Sequence, residues 1–238
     1  MVLEVRDIAA VSAFYEKLFP HGNVAPSSED GTSPAPRGEA VALFRDAKRA
    51  RSAAAEPVLL RAAGEARAVR GEASIDLCEL TRAAGAACLL VDDRPGWCLQ
   101  GTVAVIENLE VFLSFEKLRT RASTALYSAG RLSRRVRSWL ASDEMRSCDY
   151  LHCGDYDPVG LDEYLRLRDE LGSRVELHLP PCIEALFRRY GKRELLRDSP
   201  AILARLRRVD LPSIRRVVSL MDETGCGLEQ EALLLDRP

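Results

Sequence analysis

The chain has 238 residues, of which 47% are hydrophobic and 29% charged, and its formal net charge is -2. This length suffices for one compact domain with an appendage or for two small domains, and the charge gives no global reason to expect a polyanion partner. No apolar stretch approaches the roughly 18 residues of a membrane span, and the first residues lack a basic-then-apolar signal pattern. We therefore expect a cytoplasmic protein that does not contact a membrane.

Cysteine usage points in the same direction. The seven cysteines include no C-x-x-C pair. Cys88, Cys148 and Cys153 lie in apolar runs and are predicted to be small buried hydrophobic residues in a reducing cytosol. The three histidines share no ligand spacing with the cysteines, which disfavours a zinc site.

The first part of the chain, residues 1–98, has a mixed pattern that predicts a mixed α+β N-terminal region. The elements expected there are a helix in residues 1–20, an exposed loop at 21–40, strands at 40–44 and 58–60, and a helix that opens near Ser74 and ends at Gly85.

A hairpin is predicted after this helix, with strands at 86–91 and 97–100 around a turn at residues 93–96. A helix followed by a hairpin is compatible with a winged-helix-like module. It is equally compatible with a scaffold that has no such role, and both alternatives stay open.

After Gln100 the order becomes regular, with short apolar runs that alternate with amphipathic helical patterns. The predicted elements are a strand at 102–106, a helix from the N-cap Asn108 to about Leu118, a strand at 123–127, a helix after Gly130 through Leu140, a strand at 149–153, a helix at 158–171 and a strand at 175–177. This alternation predicts an α/β domain over residues 99–180, with a parallel four-stranded sheet and flanking helices. A helical C-terminal tail is expected over residues 181–238.

Carboxylates follow two strands of this predicted sheet. Asp155 and Asp157 come after a buried strand that stops at Gly154, and side chains two residues apart in an extended segment point the same way. Glu107 follows the first strand, and ligands of such sheets lie beyond the carboxyl ends of the strands. Two anions about 4 Å apart repel by roughly 4 kcal/mol at an effective dielectric near 20, so we expect a compensating Mg²⁺ or Mn²⁺ ion.

Simpler explanations exist for each acid. Asp157 alone would serve as the N-cap of the helix that begins at Pro158, and Glu107 as a solvated strand end. Tyr156, between the two aspartates, is expected to point away from them and to pack inward.

Arginines cluster where the helix after the second strand begins. Arg131, Arg134, Arg135 and Arg137 surround a helix start, where backbone N–H groups favour phosphate and guanidinium groups bind it bidentately. The alternative is a solvated helix face whose arginines pair with Asp143 and Glu144. Further basic pairs in the tail, such as Arg207 and Arg208, are interpreted as helix exteriors.

Three segments carry a resemblance to a known family. "VAVIENLEVFLSFE", "ALYSAGRLSRRV" and "YLHCGDYDPVGLDEYLRL" resemble the successive blocks of a Toprim domain, found in topoisomerases, primases and recombination nucleases. "GDYDPVGL" is most similar to the topoisomerase VI A subunit type and to JetD, the nuclease subunit of the Wadjet plasmid-defence SMC system. The ending "GLEQEALL" also resembles the JetD-like group. The resemblance covers residues 100–180 well and implies that Glu107, Asp155 and Asp157 hold the catalytic metal.

One departure separates the relatives that this resemblance names. Topoisomerase VI-type enzymes attack with a tyrosine that precedes the Toprim domain, whereas Tyr15 is the only tyrosine before residue 100 here and lies in an apolar helical stripe. Resemblance to JetD therefore favours hydrolysis by water. It implies a metal-dependent DNA nuclease of prokaryotic anti-plasmid or anti-phage defence, or of chromosome maintenance, with an SMC-type or other ATPase as partner. A homodimer is left open.

Two rival functions remain at this point. The first is a non-catalytic module that keeps the fold and binds DNA or a partner. The second is a phosphatase of the haloacid-dehalogenase type, disfavoured because two strands precede the aspartates where that family has none. Glu229, Gln230 and Glu231 are interpreted as a charged helix surface, and a contribution of Glu229 or Glu231 to the site is left open.

Overall fold

The computed structural model describes residues 55–92 and 96–235. The helix predicted in residues 1–20 with Tyr15, the loop at 21–40 and the strand at 40–44 lie outside the described residues, as does most of the turn predicted at 93–96. In the part of the chain that is described, no helix is long and apolar enough to cross a membrane.

A mixed α/β architecture is built on a six-stranded, mostly parallel sheet with the strand order β4-β1-β6-β5-β7-β8. The strands of the described residues are β1 (Ala55–Ala62), β2 (Arg67–Arg70), β3 (Ala73–Asp76), β4 (Ala87–Asp92), β5 (Gly101–Ile106), β6 (Thr124–Tyr127), β7 (Cys148–Cys153) and β8 (Val175–Leu177). β5 pairs in parallel with β6 and β7, and β7 pairs in parallel with β8. The four parallel strands predicted from the alternating pattern are therefore confirmed, with their bounds shifted by at most one residue.

The prediction of a four-stranded sheet is incomplete, because two further strands from residues 55–92 extend it. β1 pairs antiparallel with both β4 and β6, and residues from 55 onward form one unit. The sheet thus contains strands from both sides of the boundary between residues 98 and 99 that the sequence predicts.

The predicted hairpin of residues 86–91 and 97–100 is wrong. β4 pairs with β1, with Leu89 opposite Val58, whereas Cys98 forms an isolated bridge to Val69 in β2. The alternation of buried and exposed residues in β4 identifies a strand, but it does not specify which strand will be its partner. The winged-helix interpretation loses the hairpin on which it depended.

Helices cover the sheet and form the tail. They are α1 (Leu77–Ala84), α2 (Leu109–Leu113), α3 (Arg134–Ala141), α4 (Pro158–Leu171), α5 (Ile183–Tyr190), α6 (Glu194–Arg197), α7 (Pro200–Leu206) and α8 (Pro212–Thr224). Shorter 3₁₀ helices lie at Phe115–Leu118, Asp143–Met145, Gly172–Arg174 and Gln230–Leu235. The predicted helix after Asn108 is thus α2 followed by a 3₁₀ turn, and α1 begins after the N-cap Asp76 rather than near Ser74.

The core lies on both faces of the parallel strands. Val103, Ala104, Val105 and Ile106 of β5 are all at most 2% exposed, as expected for a central parallel strand covered on both sides. Tyr156 is fully buried and its hydroxyl donates to the His178 carbonyl at 2.8 Å, which confirms that it packs inward.

The cysteine prediction holds for two residues out of three. Cys148 and Cys153 are buried in β7, whereas Cys88 is exposed. Alternate residues of β4 face solvent, since successive side chains of a strand point to opposite faces of a sheet. Cys88 is one of the residues of β4 that face solvent.

The start of α4 approaches the loop after β7 so closely that only glycine fits. A Cβ on Gly160 would lie 2.9 Å from the Asp155 carbonyl carbon and would clash with the carbonyl oxygen. Because the obstacle is backbone, it cannot rotate away. Gly160 therefore allows α4 to begin directly beside the aspartate pair.

Replacing Gly160 should therefore destabilise the protein. We expect Gly160→Ala to lower the free energy of unfolding by about 1–3 kcal/mol through overpacking, measured by urea denaturation. Gly64→Ala is the matched control, because nothing lies within 4 Å of a Cβ placed there. Equal stability of the two variants would contradict this account of the close approach.

Candidate functional site

Strand register brings the predicted acidic residues to one edge of the sheet. Ile106 at the end of β5 aligns with Cys153 at the end of β7 and with Tyr127 at the end of β6. The residues that follow these strands therefore emerge side by side. Ser128, the first residue after β6, also bonds to the end of β5, because its N–H donates to the Ile106 carbonyl at 2.9 Å.

An open cleft of about 430 Å³ lies at this edge. Glu107 and Asp155 both line it, together with Glu229 and Glu231 from the end of the chain. Two of the three predicted acids therefore face one space.

Asp155 is the most perturbed carboxyl of the cleft. Burial raises its pKa to about 7, and the Gln230 amide, which donates to Oδ1 at 2.7 Å, acts in the opposite direction. Repulsion from Asp157, Glu107 and Glu231 raises the pKa further. A carboxylate in this position is stabilised by any cation that enters the cleft.

Asp157 combines a structural contact with an electrostatic one. Its Oδ1 accepts from the Gly160 N–H at 2.7 Å, so it is the N-cap of α4. Burial raises its pKa, the amides of Gly160 and Val159 lower it, and Glu229 raises it. The capping explanation is confirmed, and a role of Asp157 as metal ligand stays a prediction that would use its other oxygen.

Glu107 belongs to the same electrostatic group. Burial raises its pKa, followed by repulsion from Asp157 and Glu163, while Arg131 lowers it. The three acids predicted from the sequence thus act on one another through their charges.

The donor chemistry of the cleft suits a hard divalent cation. Among the residues described, no group of three or more His, Cys, Asp or Glu side chains is arranged to hold a metal ion. Mg²⁺, however, is usually held by one or two carboxylates and completes its shell with water and substrate phosphate. Oδ1 of Asp155 and Oδ1 of Asp157 each accept from a backbone N–H, and each carboxylate has a second oxygen. The residues therefore fit an open site rather than a closed cage.

Two of the predicted phosphate-binding arginines pair with α4. Arg131 Nε lies 2.9 Å from Glu163 Oε1, and Arg137 forms an ion pair with Glu170. Their partners differ from Asp143 and Glu144, which the alternative explanation expected. Arg134 is exposed at the first position of α3. Contacts of Arg131, Arg134 and Arg135 with DNA stay predictions.

The basic residues of the tail behave as helix exteriors. Arg207 pairs with Asp222 at 2.5 Å, and Arg215 pairs with Asp210 at 2.7 Å. All four side chains are more than 40% exposed, so each pair contributes little to stability.

For residues 229–231 the sequence favours a charged helix surface and leaves a contribution of Glu229 or Glu231 to the site open. Glu229 and Glu231 line the cleft, and Gln230 is fully buried at the start of a 3₁₀ helix. A signal was present in the sequence: three polar residues interrupt the apolar residues Leu228 and Ala232, both of which are buried.

β7 carries a buried histidine, His152, for which the sequence predicts no role. His152 is 6% exposed, and neither ring nitrogen has a hydrogen-bond partner within the described part of the chain. Burial lowers its pKa to about 4, which keeps the ring neutral near pH 7. A cavity of about 10 Å³, close to the size of one water molecule, is lined by His152, Glu107 and Glu163.

These features define the class of protein: a mixed α/β protein with an acidic cleft at the carboxyl ends of parallel strands. A family model described as "Wadjet protein JetD, C-terminal" matches residues 99–237, and the chain therefore belongs to the JetD family. This confirms the JetD-like resemblance, and it implies a role in Wadjet anti-plasmid defence. No curated protein matches the chain.

The acidic cleft should give the metal-free protein a distinctive pH dependence. A carboxyl whose pKa is raised on folding, as at Asp155, stabilises the folded state below its unfolded pKa, and this stabilisation is lost as pH rises through the folded pKa. The free energy of unfolding of Asp155→Asn, minus that of wild type, should therefore rise by roughly 3 kcal/mol between about pH 4 and pH 7.

The difference between the two proteins is the quantity to measure, by urea denaturation in EDTA. Wild type alone is ambiguous, because the lowered pKa of His152 gives the opposite slope. Asp149→Asn, at an exposed position of β7, serves as control and should follow wild type. A constant difference between Asp155→Asn and wild type over this range would show that Asp155 is not perturbed.

Proposed function

We propose that this chain is a metal-dependent nuclease that hydrolyses DNA phosphodiesters in Wadjet anti-plasmid defence. One observation carries the proposal: Glu107 and Asp155, from two neighbouring parallel strands, line one acidic cleft in a chain of the JetD family. Among the described residues, Arg131 lowers the pKa of Glu107 and Lys192 forms an ion pair with Glu229, so the acids outnumber these cations. A divalent ion would supply further positive charge and would in turn bind the anionic phosphodiester.

Each acid has a distinct part in this proposal. Asp155 and Asp157 would hold Mg²⁺ or Mn²⁺ through the oxygens that are not bonded to the Gln230 and Gly160 amides. When bound, such an ion activates water and neutralises charge that develops on the phosphodiester. Glu107 is a further ligand or the general base, and burial raises its pKa, which makes its carboxylate a stronger base.

The substrate and the partner follow from charge and family. Because the net charge is -2, DNA must be held by a local cluster of cations, for which Arg131, Arg134 and Arg135 near the cleft are the candidates. An SMC-type ATPase is the partner that a Wadjet component implies. A Toprim arrangement of the parallel strands is part of the same proposal.

Loss of Asp155 should abolish cleavage. With Mg²⁺ or Mn²⁺, the wild-type chain should nick or linearise supercoiled plasmid, and Asp155→Ala should reduce the rate by at least about 100-fold, since even outer-shell changes cost 10- to 100-fold. Agarose gels measure the conversion. Asp149→Ala, an exposed aspartate of β7, should cleave like wild type.

Asp149→Ala also removes a negative charge, but at an exposed position of β7. It therefore shows whether loss of charge alone reduces cleavage. Equal conversion of plasmid by wild type and Asp155→Ala, with the SMC-type partner present, would rule out the nuclease assignment.

A non-catalytic DNA-binding module remains the second candidate, because Arg134, at the first position of α3, is exposed and available to a phosphate. The proposed nuclease should bind DNA with a steep salt dependence, and Arg134→Ala should reduce the slope of log affinity against log salt by about 1. Arg121→Ala is the control, since Arg121 precedes β6 and lies at its amino end. Fluorescence anisotropy over a salt series measures both.

The two candidates differ in their response to metal. The module predicts DNA binding that is indifferent to EDTA and to Glu107→Gln, with no cleavage by the wild-type chain. The nuclease hypothesis predicts that the wild-type chain cleaves DNA and that EDTA and Glu107→Gln each abolish this cleavage.

A further inference from the structure

Residues 227–231, called here the C-terminal strap, cross the acidic cleft from one side to the other. Gly227 exchanges two backbone hydrogen bonds with Lys192, at 2.8 and 3.0 Å, and Leu228 exchanges two with Tyr156, also at 2.8 and 3.0 Å. The second pair attaches the strap to the residue between the two aspartates. The strap is thus hydrogen-bonded like a short strand against the loop after β7.

Gln230 connects this loop to the one after β5. Its backbone N–H donates to Asp155 Oδ1 at 2.7 Å, and its side-chain Oε1 accepts from the Asn108 N–H at 2.8 Å. Asn108 directly follows Glu107. Gln230 is fully buried, so water does not compete for these contacts. One residue therefore fixes the distance between the two predicted metal-binding loops.

Asn108 is held at every polar group of its side chain. Its Nδ2 donates to Glu231 Oε1 at 2.5 Å, and its Oδ1 accepts from the Glu110 N–H at 2.8 Å and the Val111 N–H at 3.1 Å. These contacts join the strap to the N-terminus of α2. The backbone that carries Glu107 is consequently set by the strap on one side and by α2 on the other.

The strap also contacts the third acid. A Cβ on Gly227 would lie 3.1 Å from Asp157 Cβ and 2.8 Å from Leu195 Cβ. A larger residue would push the strap away from the aspartates, so its path depends on this close approach.

We propose, on the basis of the nuclease function above, that Gln230 is a positioning residue for the metal centre. Gln230 joins the loops that carry Glu107 and Asp155, whose carboxylates repel one another, and these loops are separated by about fifty residues of chain. Without the bridge from Asn108 to Asp155, the loops would relax apart and a cation would have to pay the cost of bringing them together. The strap preorganises the carboxylates for the ion.

The test replaces the Gln230 side chain by one of similar length without an acceptor. Gln230→Met is expected to weaken Mn²⁺ binding by about 10-fold, the lower end of the range for residues that orient metal ligands. The dissociation constant is measured from the electron paramagnetic resonance signal of free Mn²⁺, with the full chain and at a temperature where it is fully folded. Gln100→Met makes the same chemical change at an exposed position and should bind like wild type.

The outcomes separate this proposal from the nuclease assignment. If wild type binds Mn²⁺, Asp155→Ala does not, and Gln230→Met binds like wild type, the positioning role is wrong while the metal centre stands. A lowered melting temperature of Gln230→Met with unchanged Mn²⁺ affinity would also overturn the proposal, because it indicates a merely structural contact. If wild type and Asp155→Ala bind Mn²⁺ equally, the metal centre itself is wrong.

A second measurement on the wild-type protein applies even if Gln230→Met does not fold. The Gln230 amide donates to Asp155 Oδ1, so Mg²⁺ that tightens the cluster should slow its hydrogen–deuterium exchange. Exchange at Gln230 that is indifferent to saturating Mg²⁺ would contradict the proposal.

Discussion

Repulsion among carboxylates at one edge of the sheet is the constraint on which the rest of this structure depends. The parallel register of β5 and β7 leaves no choice about where Glu107 and the aspartates emerge. Burial then raises the pKa of Asp155 and Glu107, because the charged forms lose water before they gain a cation. The surrounding backbone donors, two of them to Asp155 and Asp157, oppose this effect and keep the acids oriented.

Local patterns in the sequence were sufficient for the part of the fold that carries the acids. β5 to β8 and α4 follow from apolar runs, an N-cap and a proline that are all read within a few residues. The partner of β4 was not predictable in this way. The alternation of buried and exposed residues in β4 is the same whether the strand pairs with a neighbour in sequence or with β1. Only tertiary contacts decide which of them is its partner.

The candidate site shows the same division between local and distant information. Spacing placed Asp155 and Asp157 on one short extended segment, and the strand order brought Glu107 to them. In the strap, Gln230 bonds to Asp155, which is 75 positions away in the sequence, and to Asn108, which is 122 positions away. No local pattern encodes such contacts. Asp157 also shows that two explanations of one residue need not exclude each other, since the oxygen that caps the helix and the oxygen proposed to bind metal belong to the same carboxylate.

The position of the strap in the chain has a consequence for biosynthesis. Residues 227–231 follow every strand of the described sheet, so on the ribosome they emerge last among the parts of the cleft. A nascent chain that lacks them contains every strand of the described sheet, but its Asn108 and Asp155 lack the hydrogen bonds through Gln230 that connect them. Completion of the acidic cleft therefore requires synthesis to have passed residue 231.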